Sequence, residues 1–153
     1  MILGVLCYLT KRGKTLFLHR TKKSQDEMKD LWIGLGGKVE KGEFPHESVV
    51  REVKEESGLT IVPRFRGIVA FLNEENERQD WYAYVYTSSK YTGTLLNSNE
   101  GDLIWIQNGR INDLNLLEGD KILLNLLKKK KFIVAKFLYK GKKLEDYRLY
   151  EQD

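Results

Sequence analysis

The strongest local constraint in this chain is residues 34–60, GLGGKVEKGEFPHESVVREVKEESGLT, in which a glycine-rich stretch leads into a helix-forming sequence. Pro45 suits the first turn of a helix, where its missing N–H is not needed. Gly58 suits the left-handed position that often ends a helix. The segment therefore predicts a loop at residues 34–38, followed by a helix from about Pro45 to Ser57.

The predicted helix carries an aliphatic stripe and an acidic stripe. The aliphatic stripe, which is expected to pack, consists of Val49, Val50 and Val53. Glu52, Glu55 and Glu56 lie roughly 100° further around the axis, because an α-helix has about 3.6 residues per turn. Like charges at this spacing repel by roughly 0.2–0.5 kcal/mol per pair, and Glu55 and Glu56 also approach the negative end of the helix dipole. A positive charge is therefore expected beside this face.

Two sources of that positive charge are open. Arg51 is spaced four residues from Glu55 and would form a surface ion pair on an exposed helix. The alternative is a hard divalent cation such as Mg²⁺, which binds carboxylate, carbonyl and water oxygens and is often shared with substrate phosphates. The glycines at positions 34, 36 and 37 favour the cation, because a backbone without side chains approaches ions and phosphates closely.

A fixed spacing of glycine, acidic and arginine residues runs through the same segment. It is G, five residues, E, seven residues and then REUxEExGU, where U is aliphatic. The matching residues are Gly37, Glu43, Arg51, Glu52, Val53, Glu55, Glu56, Gly58 and Leu59. On this pattern the chain resembles the Nudix hydrolases, which cleave nucleoside diphosphates linked to another group. The resemblance implies an α/β fold, namely a Nudix-type α/β/α sandwich with a central mixed sheet, and Mg²⁺ or Mn²⁺ as the cofactor.

The resemblance also implies a metal site built from one carbonyl and several carboxylates. The implied ligands are the carbonyl of Gly36 and the carboxylates of Glu52, Glu55, Glu56 and Glu100. Glu100 is included because it precedes the strand around Trp105, where related enzymes place an outlying ligand or base. The alternative for Glu100 is a solvated glutamate in a loop.

Catalysis in this family is hydrolysis at phosphorus, which implies a general base and residues that hold it. Glu52 is the first choice for the base, with Glu55 or Glu100 as alternates. Arg51 and Glu43 would brace the loop against the helix. The implied reaction releases a nucleoside monophosphate and pyrophosphate from a triphosphate.

Further similarity points to the branch of the family that destroys oxidised purine triphosphates such as 8-oxo-dGTP. It extends over nearly the whole chain, through the segments DLWIGLGGK, NEGDLIWI, LLEGDKILLNLL and KKFIVAKFLYKGKKLEDYRLY. Other Nudix substrates, such as ADP-ribose, a dinucleoside polyphosphate or an RNA 5′ end, would use the same motif. A nucleotide- or RNA-binding module that has lost catalysis is the alternative from another class.

The residues expected to contact the substrate differ in part from those relatives. Ile33 stands where mammalian-type enzymes carry an Asn that binds the base, and Leu117 stands where an aromatic residue often stacks on it. Asp120 is kept as a base contact. The expected phosphate contacts are Arg20, Gly37 and Lys38. A surface cation is the alternative interpretation of Arg20. These differences predict a preference for 8-oxo-dGTP that is weaker than in the relatives.

Patterns of apolar residues predict the rest of the fold. Strands are predicted at residues 3–9, 15–20, 61–73, 80–89, 102–107, 132–139 and 145–150. The first two would form a hairpin through a turn at 10–14, and residues 21–30 would form a polar loop. A second helix at 118–129 would pack through Ile122, Leu123, Leu126 and Leu127.

Length and composition favour one domain, residues 1–153. The formal net charge of +4 comes largely from the lysine-rich stretches 128–131 and 140–143, which we interpret as solvated ends of elements. The expected partner is therefore the nucleotide substrate, with no stable nucleic-acid partner. No membrane partner is expected, and the expected location is the cytoplasm. The oligomeric state stays open between a monomer and a homodimer. Cys7, in an apolar run, is expected to be a buried structural thiol.

Overall fold

The computed structural model describes residues 1–21 and 30–153. Over these residues the strands are β1 (Ile2–Lys11), β2 (Lys14–Arg20), β3 (Trp32–Ile33), β4 (Leu35–Lys38), β5 (Leu59–Asn73), β6 (Trp81–Gly93), β7 (Gly101–Gln107), β8 (Ile133–Lys140) and β9 (Lys143–Leu149). The α-helices are α1 (Pro45–Ser57) and α2 (Glu118–Leu127), with short 3₁₀ helices at Glu77–Gln79 and Asn108–Asp113. Residues 22–29 of the polar loop predicted for 21–30 lie outside the described residues, and only residues 21 and 30 of it are described.

The strands form a mixed sheet in the order β3-β2-β1-β6-β5-β8-β9, while β4 pairs with β1 and β7 pairs with β2. β1 and β6 are parallel, as are β5 and β8, and the other pairs are antiparallel. The predicted hairpin of β1 and β2 is present only at its turn, where Thr10 pairs with Thr15 and Lys11 with Lys14. Beyond that point β1 pairs with β4 and β6, while β2 pairs with β3 and β7. The predicted α/β class with a central mixed sheet is confirmed.

Alternation of side chains along β1 divides the core between the two faces of the sheet. Val5, Cys7 and Leu9 are buried in one cluster with side chains of α1. Tyr8 is buried in a second cluster with side chains of α2, and Leu6 packs beside it. The two helices therefore cover opposite faces, which gives the predicted α/β/α layering.

Helix α1 forms between the two residues that were expected to bound it. Pro45 is its first residue. Gly58 is its C-cap, with φ 79° in the left-handed region, and its N–H donates to the carbonyl of Lys54 at 2.9 Å. Val49 and Val53 are fully buried against the sheet, so the aliphatic stripe packs as predicted. Burial of this stripe fixes the rotation of the helix and hence the direction of its acidic face.

One local prediction is wrong. Residues 34–38, expected to form a loop, contain strand β4, because this stretch hydrogen-bonds to β1 as an antiparallel partner. Helix α2 was correctly predicted apart from its end, which falls at Leu127 instead of residue 129. Leu123 is buried, and Ile122, Leu126 and Leu127 pack against the same core, so the predicted stripe is confirmed. The rotation of α2 follows from its first turn, where the N–H of Gly119 donates to the hydroxyl of Tyr139 on β8 at 2.7 Å.

Other features agree with the sequence. Phe137 and Tyr139 are buried on β8, which pairs with β9 as a hairpin. Cys7 is a buried free thiol, and burial raises its pKa to about 12, so the structural interpretation is confirmed. Among the described residues, no helix combines the length and the apolar character needed to span a membrane.

Candidate active site

Strand β4 places two glycines against the acidic side of α1. The N–H of Gly36 donates to Oε1 of Glu56 at 3.1 Å. A Cβ atom on Gly37 would lie 2.5 Å from Cδ of Glu52 and 2.6 Å from each of its carboxylate oxygens. Neither glycine has a positive φ, so what these positions need is space and not an unusual backbone conformation. The glycine-rich strand therefore brings the main chain into contact with two carboxylates of the helix.

Glu56 is the most buried acid of the helix. Burial is the main cause that raises the pKa of its carboxyl to about 8. The charges of Glu100 and Glu52 act in the same direction, whereas the hydrogen bond from Gly36 and the charge of Arg20 oppose it. The charges of Glu52 and Glu100 are therefore near enough to oppose the ionisation of Glu56.

Arg51 binds several acids at once. Its Nε and Nη2 donate to the two carboxylate oxygens of Glu43 at 2.7 and 2.9 Å, a bidentate pair that lowers the pKa of Glu43 to about 2. Its Nη1 donates to Glu52 at 2.8 Å and to Glu55 at 3.3 Å, and its Nη2 also donates to the carbonyl of Lys38 at 3.2 Å. Arg51 thus ties the end of β4 to the helix, and its principal partner is Glu43, not the Glu55 that helical spacing alone favours.

The acids of the helix differ in exposure. The side chain of Glu52 is 17% exposed and that of Glu55 is 59% exposed. Burial raises the pKa of Glu52, while its hydrogen bond with Arg51 opposes this effect. Glu52 and Glu56 therefore lie against β4, and Glu55 lies at the solvent edge of the acidic stripe.

Strand β7 brings a further acid to this corner from a distant part of the sequence. It pairs antiparallel with β2, so that Gly101 lies opposite Arg20. An ion pair joins Nη1 of Arg20 to Oε2 of Glu100 at 3.5 Å. The charges of Arg20 and Glu100 both affect the pKa of Glu56. Glu100, the predicted outlying ligand, therefore lies near the acids of the helix.

We call Glu52, Glu56 and Glu100 the acidic cluster. Their carboxylate oxygens are the donors that Mg²⁺ prefers, and a cation would relieve their mutual repulsion. Within the described residues, however, no three acidic, histidine or cysteine side chains are grouped so that they could hold one ion. The carboxylate of Glu52 accepts a hydrogen bond from Arg51, and that of Glu56 accepts one from the N–H of Gly36. The acidic cluster therefore has the chemistry of a metal site, and two of its carboxylates already accept hydrogen bonds from other groups.

The residues expected to contact the base are divided between the two faces of the sheet. Asp120 is buried in the first turn of α2, and burial raises its pKa to about 7. Leu117 is the N-cap of the same helix and packs against the α2-side core. Ile33, on β3, packs against the α1-side core. The structure therefore brings Leu117 and Asp120 together, and Ile33 belongs to the opposite layer.

Aromatic residues near this region were not anticipated from the sequence. The rings of His19 and Trp32 stack with centroids 4.2 Å apart and planes 5° from parallel. Burial, followed by the charge of Asp120, raises the pKa of both Tyr8 and Tyr139. Alternation along the strands indicates only that these tyrosines belong to the core. No signal in the sequence shows that they lie beside Asp120.

The layered fold, and an acidic helix packed on a glycine-rich strand, define a class of protein suited to reactions of phosphate groups. Residues 2–129 match the family model described as the NUDIX domain. The chain therefore belongs to the Nudix family, and it is a Nudix hydrolase acting on pyrophosphate bonds.

Similar proteins include enzymes of nucleotide metabolism. The chain is 30% identical over 127 residues to the uncharacterized Nudix hydrolase YvcI of Bacillus subtilis (strain 168), covering 80% of this chain and 77% of that protein. It is 29% identical over 112 residues to the oxidized purine nucleoside triphosphate hydrolase of Danio rerio, covering 72% and 70%. It is 29% identical over 102 residues to the 8-oxo-dGDP phosphatase NUDT18 of Mus musculus, covering 67% of this chain and 29% of that protein.

Solved structures show the same fold. The MutT protein from Bacillus halodurans superposes with a TM-score of 0.86 at 26% identity, over 97% of both chains. The MutT protein from Methanosarcina mazei Go1 has a TM-score of 0.71 at 27% identity, over 83% of this chain and 92% of that one. These similarities confirm the MutT-like α/β/α arrangement.

Proposed function

We propose that this Nudix hydrolase is a Mg²⁺-dependent nucleoside triphosphate pyrophosphohydrolase that converts 8-oxo-dGTP to 8-oxo-dGMP and pyrophosphate. The observation that carries the choice of substrate is Asp120, a buried carboxyl with a pKa near 7 beside the apolar Leu117. The similarity to the oxidized purine nucleoside triphosphate hydrolase of Danio rerio supports the same substrate class. Removal of oxidised nucleotides from the precursor pool would be the role of such an enzyme.

In this proposal the acidic cluster holds the cation, with the Gly36 carbonyl and Glu55 as additional predicted ligands. When bound, the cation would offset the charge of the phosphates and make an attacking water more acidic. Binding would require Glu52 to exchange its hydrogen bond with Arg51 for the ion. In that exchange Arg51 keeps its bidentate bond to Glu43 and its bond to the carbonyl of Lys38, so the end of β4 stays fixed to the helix.

Glu52 is the proposed general base, with Glu55 and Glu100 as alternates. It would take one proton from water as the water oxygen forms a bond to phosphorus, and the P–O bond to the departing pyrophosphate would break. Burial raises the pKa of Glu52, and its hydrogen bond with Arg51 opposes this effect. Lys38 is exposed at the end of β4 and Arg20 lies beside Glu100; both are proposed to contact the phosphates.

Asp120 is the proposed contact to the oxidised base. 8-oxoguanine carries an N–H at N7, where guanine offers only an acceptor. An ionised Asp120 accepts a hydrogen bond from that N–H, and a pKa of about 7 makes the ionised form accessible at neutral pH. Leu117 adds apolar contacts alone, which distinguish similar ligands by only about 1–3 kcal/mol, and Ile33 packs in the opposite core layer. We therefore expect a preference for 8-oxo-dGTP over dGTP on the order of 10- to 100-fold.

An oxidised purine diphosphate is the second candidate substrate. The similarity to the 8-oxo-dGDP phosphatase NUDT18 of Mus musculus favours it. The two candidates share the base and differ only in the leaving group, which is pyrophosphate from the triphosphate and phosphate from the diphosphate.

The test is kcat/KM with Mg²⁺ for 8-oxo-dGTP, dGTP, 8-oxo-dGDP, ADP-ribose and a dinucleoside polyphosphate, with the inorganic product identified in each case. The proposal expects 8-oxo-dGTP to be the best substrate and pyrophosphate to be its product. Asp120→Ala should bring 8-oxo-dGTP and dGTP closer together. Faster cleavage of ADP-ribose or of a dinucleoside polyphosphate would refute the substrate assignment, and no turnover of any nucleotide would favour a binding module.

A further inference from the structure

A cavity of about 570 Å³ lies at the far end of β1. It is enclosed by the last turn of α2, the 3₁₀ helix Asn108–Asp113 and the first half of β5. None of the residues of the acidic cluster is among the described residues that line it. The volume lies in the range of about 300–1,000 Å³ that is typical of sites for small organic ligands.

The charged side chains around this cavity are all basic. They are Arg64, Arg66, Lys90 and Lys128. No aspartate or glutamate is present among the described lining residues. Concentrated positive charge without a neighbouring carboxylate attracts an anion, and phosphate is the anion that arginine binds with several hydrogen bonds at once.

The two arginines differ in how they are held. Nη2 of Arg66 donates to the carbonyls of Leu127 and Lys129, at 3.0 and 2.8 Å, at the C-terminal end of α2. Burial, followed by the charge of Arg64, lowers the pKa of Arg66, so the two guanidinium groups repel each other. Arg64 is exposed and makes no ion pair within the described residues. One arginine is thus already fixed, and the other is able to close on a ligand.

The remaining lining suits a ligand with a polar part and an apolar part. The polar side chains include Thr10, Thr15, Asn108, Asn112 and Asn125. The apolar side chains include Ile111 and Leu124, and the ring of Tyr8 lies among them. Thr15 donates to Oδ1 of Asn108 at 2.8 Å, which orients that amide. Tyr8 and Leu124 are buried and form an apolar floor, while the amides and hydroxyls above it are groups that hydrogen-bond a heterocyclic base and its sugar.

We propose that this cavity is a second binding site, separate from the hydrolytic site, for a nucleoside monophosphate. Arg64 and Arg66 would bind the phosphate, and the exposed amides of Asn108, Asn112 and Asn125 would bind the nucleoside. The site does not depend on the proposed substrate of the acidic cluster, because it shares no residue with it.

Binding of AMP and GMP to the full-length chain in EDTA tests this proposal, by calorimetry and by NMR of ¹⁵N-labelled protein. Adenosine and inorganic pyrophosphate serve as ligands that lack the phosphate or the nucleoside. We expect AMP or GMP to shift the amide signals of Thr10, Asn108 and Asn125, and adenosine and pyrophosphate to bind at least about tenfold more weakly.

Arg64→Gln should weaken nucleotide binding about tenfold, because one charged hydrogen bond to phosphate is lost. Arg78→Gln is the matched control, since Arg78 is exposed in the 3₁₀ helix Glu77–Gln79 and does not line the cavity. Equal affinity of Arg64→Gln and wild type would overturn the proposal, as would shifts confined to β4, α1 and Asp120. Pyrophosphate binding as tight as that of AMP would also overturn it, because the site would then recognise phosphate alone.

Discussion

Replacing Glu56 by glutamine should remove a pH dependence that this carboxyl imposes on stability. Burial raises its pKa from 4.5 to about 8 in the folded chain. The unfolded chain therefore loses the proton near pH 4.5, whereas the folded chain keeps it until about pH 8. The contribution of Glu56 to stability is fully present below pH 4.5 and is lost as the pH rises towards 8. At about 1.36 kcal/mol per pH unit, the loss has an upper limit of ~5 kcal/mol.

Glutamine keeps the shape of the side chain and an oxygen that accepts from the Gly36 N–H, but it does not ionise. Glu56→Gln should therefore match wild type near pH 5 and exceed it at pH 8 in the absence of metal. The assay is urea unfolding in EDTA between pH 5 and 9. The unfolding free energy of Glu56→Gln minus that of wild type should increase with pH, with a slope that approaches ~1.4 kcal/mol per pH unit. Asp120 also has a raised pKa, but it is present in both proteins and cancels in the difference.

Glu55→Gln is the control, because Glu55 is exposed on the same helix and should leave this pH profile unchanged. Addition of Mg²⁺ at pH 8 should stabilise wild type and not Glu56→Gln, since the ion favours the ionised carboxylate. Turnover of Glu56→Gln should be lower by about three powers of ten or more if Glu56 is a metal ligand. Parallel pH profiles for wild type and Glu56→Gln would refute the burial argument, and undiminished turnover would refute the metal assignment.

Three further predictions concern the surroundings of the acidic cluster. Arg51→Ala should lower the unfolding free energy as well as slow turnover, because Glu43 loses its bidentate partner; unchanged stability in urea would contradict a bracing role. Gly37→Val should abolish turnover with the helical circular dichroism retained, since its side chain would collide with Glu52; an active variant would show that close approach is not needed. Asp120→Ala should lower the ratio of kcat/KM for 8-oxo-dGTP over dGTP, and an unchanged ratio would exclude a base contact.

Helix α1 was predictable because its signals are local. Pro45 and Gly58 act through their own backbone preferences, and the valine stripe reports burial directly. Strand β4 was not predictable from its residues, because glycine has a low strand propensity and the pairing with β1 decides its conformation. The motif placed the acids correctly on one face of the helix, whereas their exposure depends on how that face meets β4.

The partners of individual side chains depended on tertiary structure. Helical spacing pairs Arg51 with Glu55, but the chain before the helix folds back and presents Glu43 to the guanidinium. Correspondence with related enzymes predicts that Ile33 contacts the base. In the structure Ile33 lies opposite Leu18 in the pairing of β3 with β2, and its side chain packs in the core layer on the α1 side. Sequence patterns therefore indicate which residues share an element, and strand register decides which of them share a site.

The distribution of charge gives a physical reason to expect ligands at two places. Glu56 is buried beside Glu52 and Glu100, an arrangement that destabilises the folded chain whenever these groups ionise. Arg64 and Arg66 repel each other at the far end of β1, where the described lining residues include no acid to offset them. A cation at the acidic cluster and an anion at the basic cavity would each recover free energy that the fold loses in their absence.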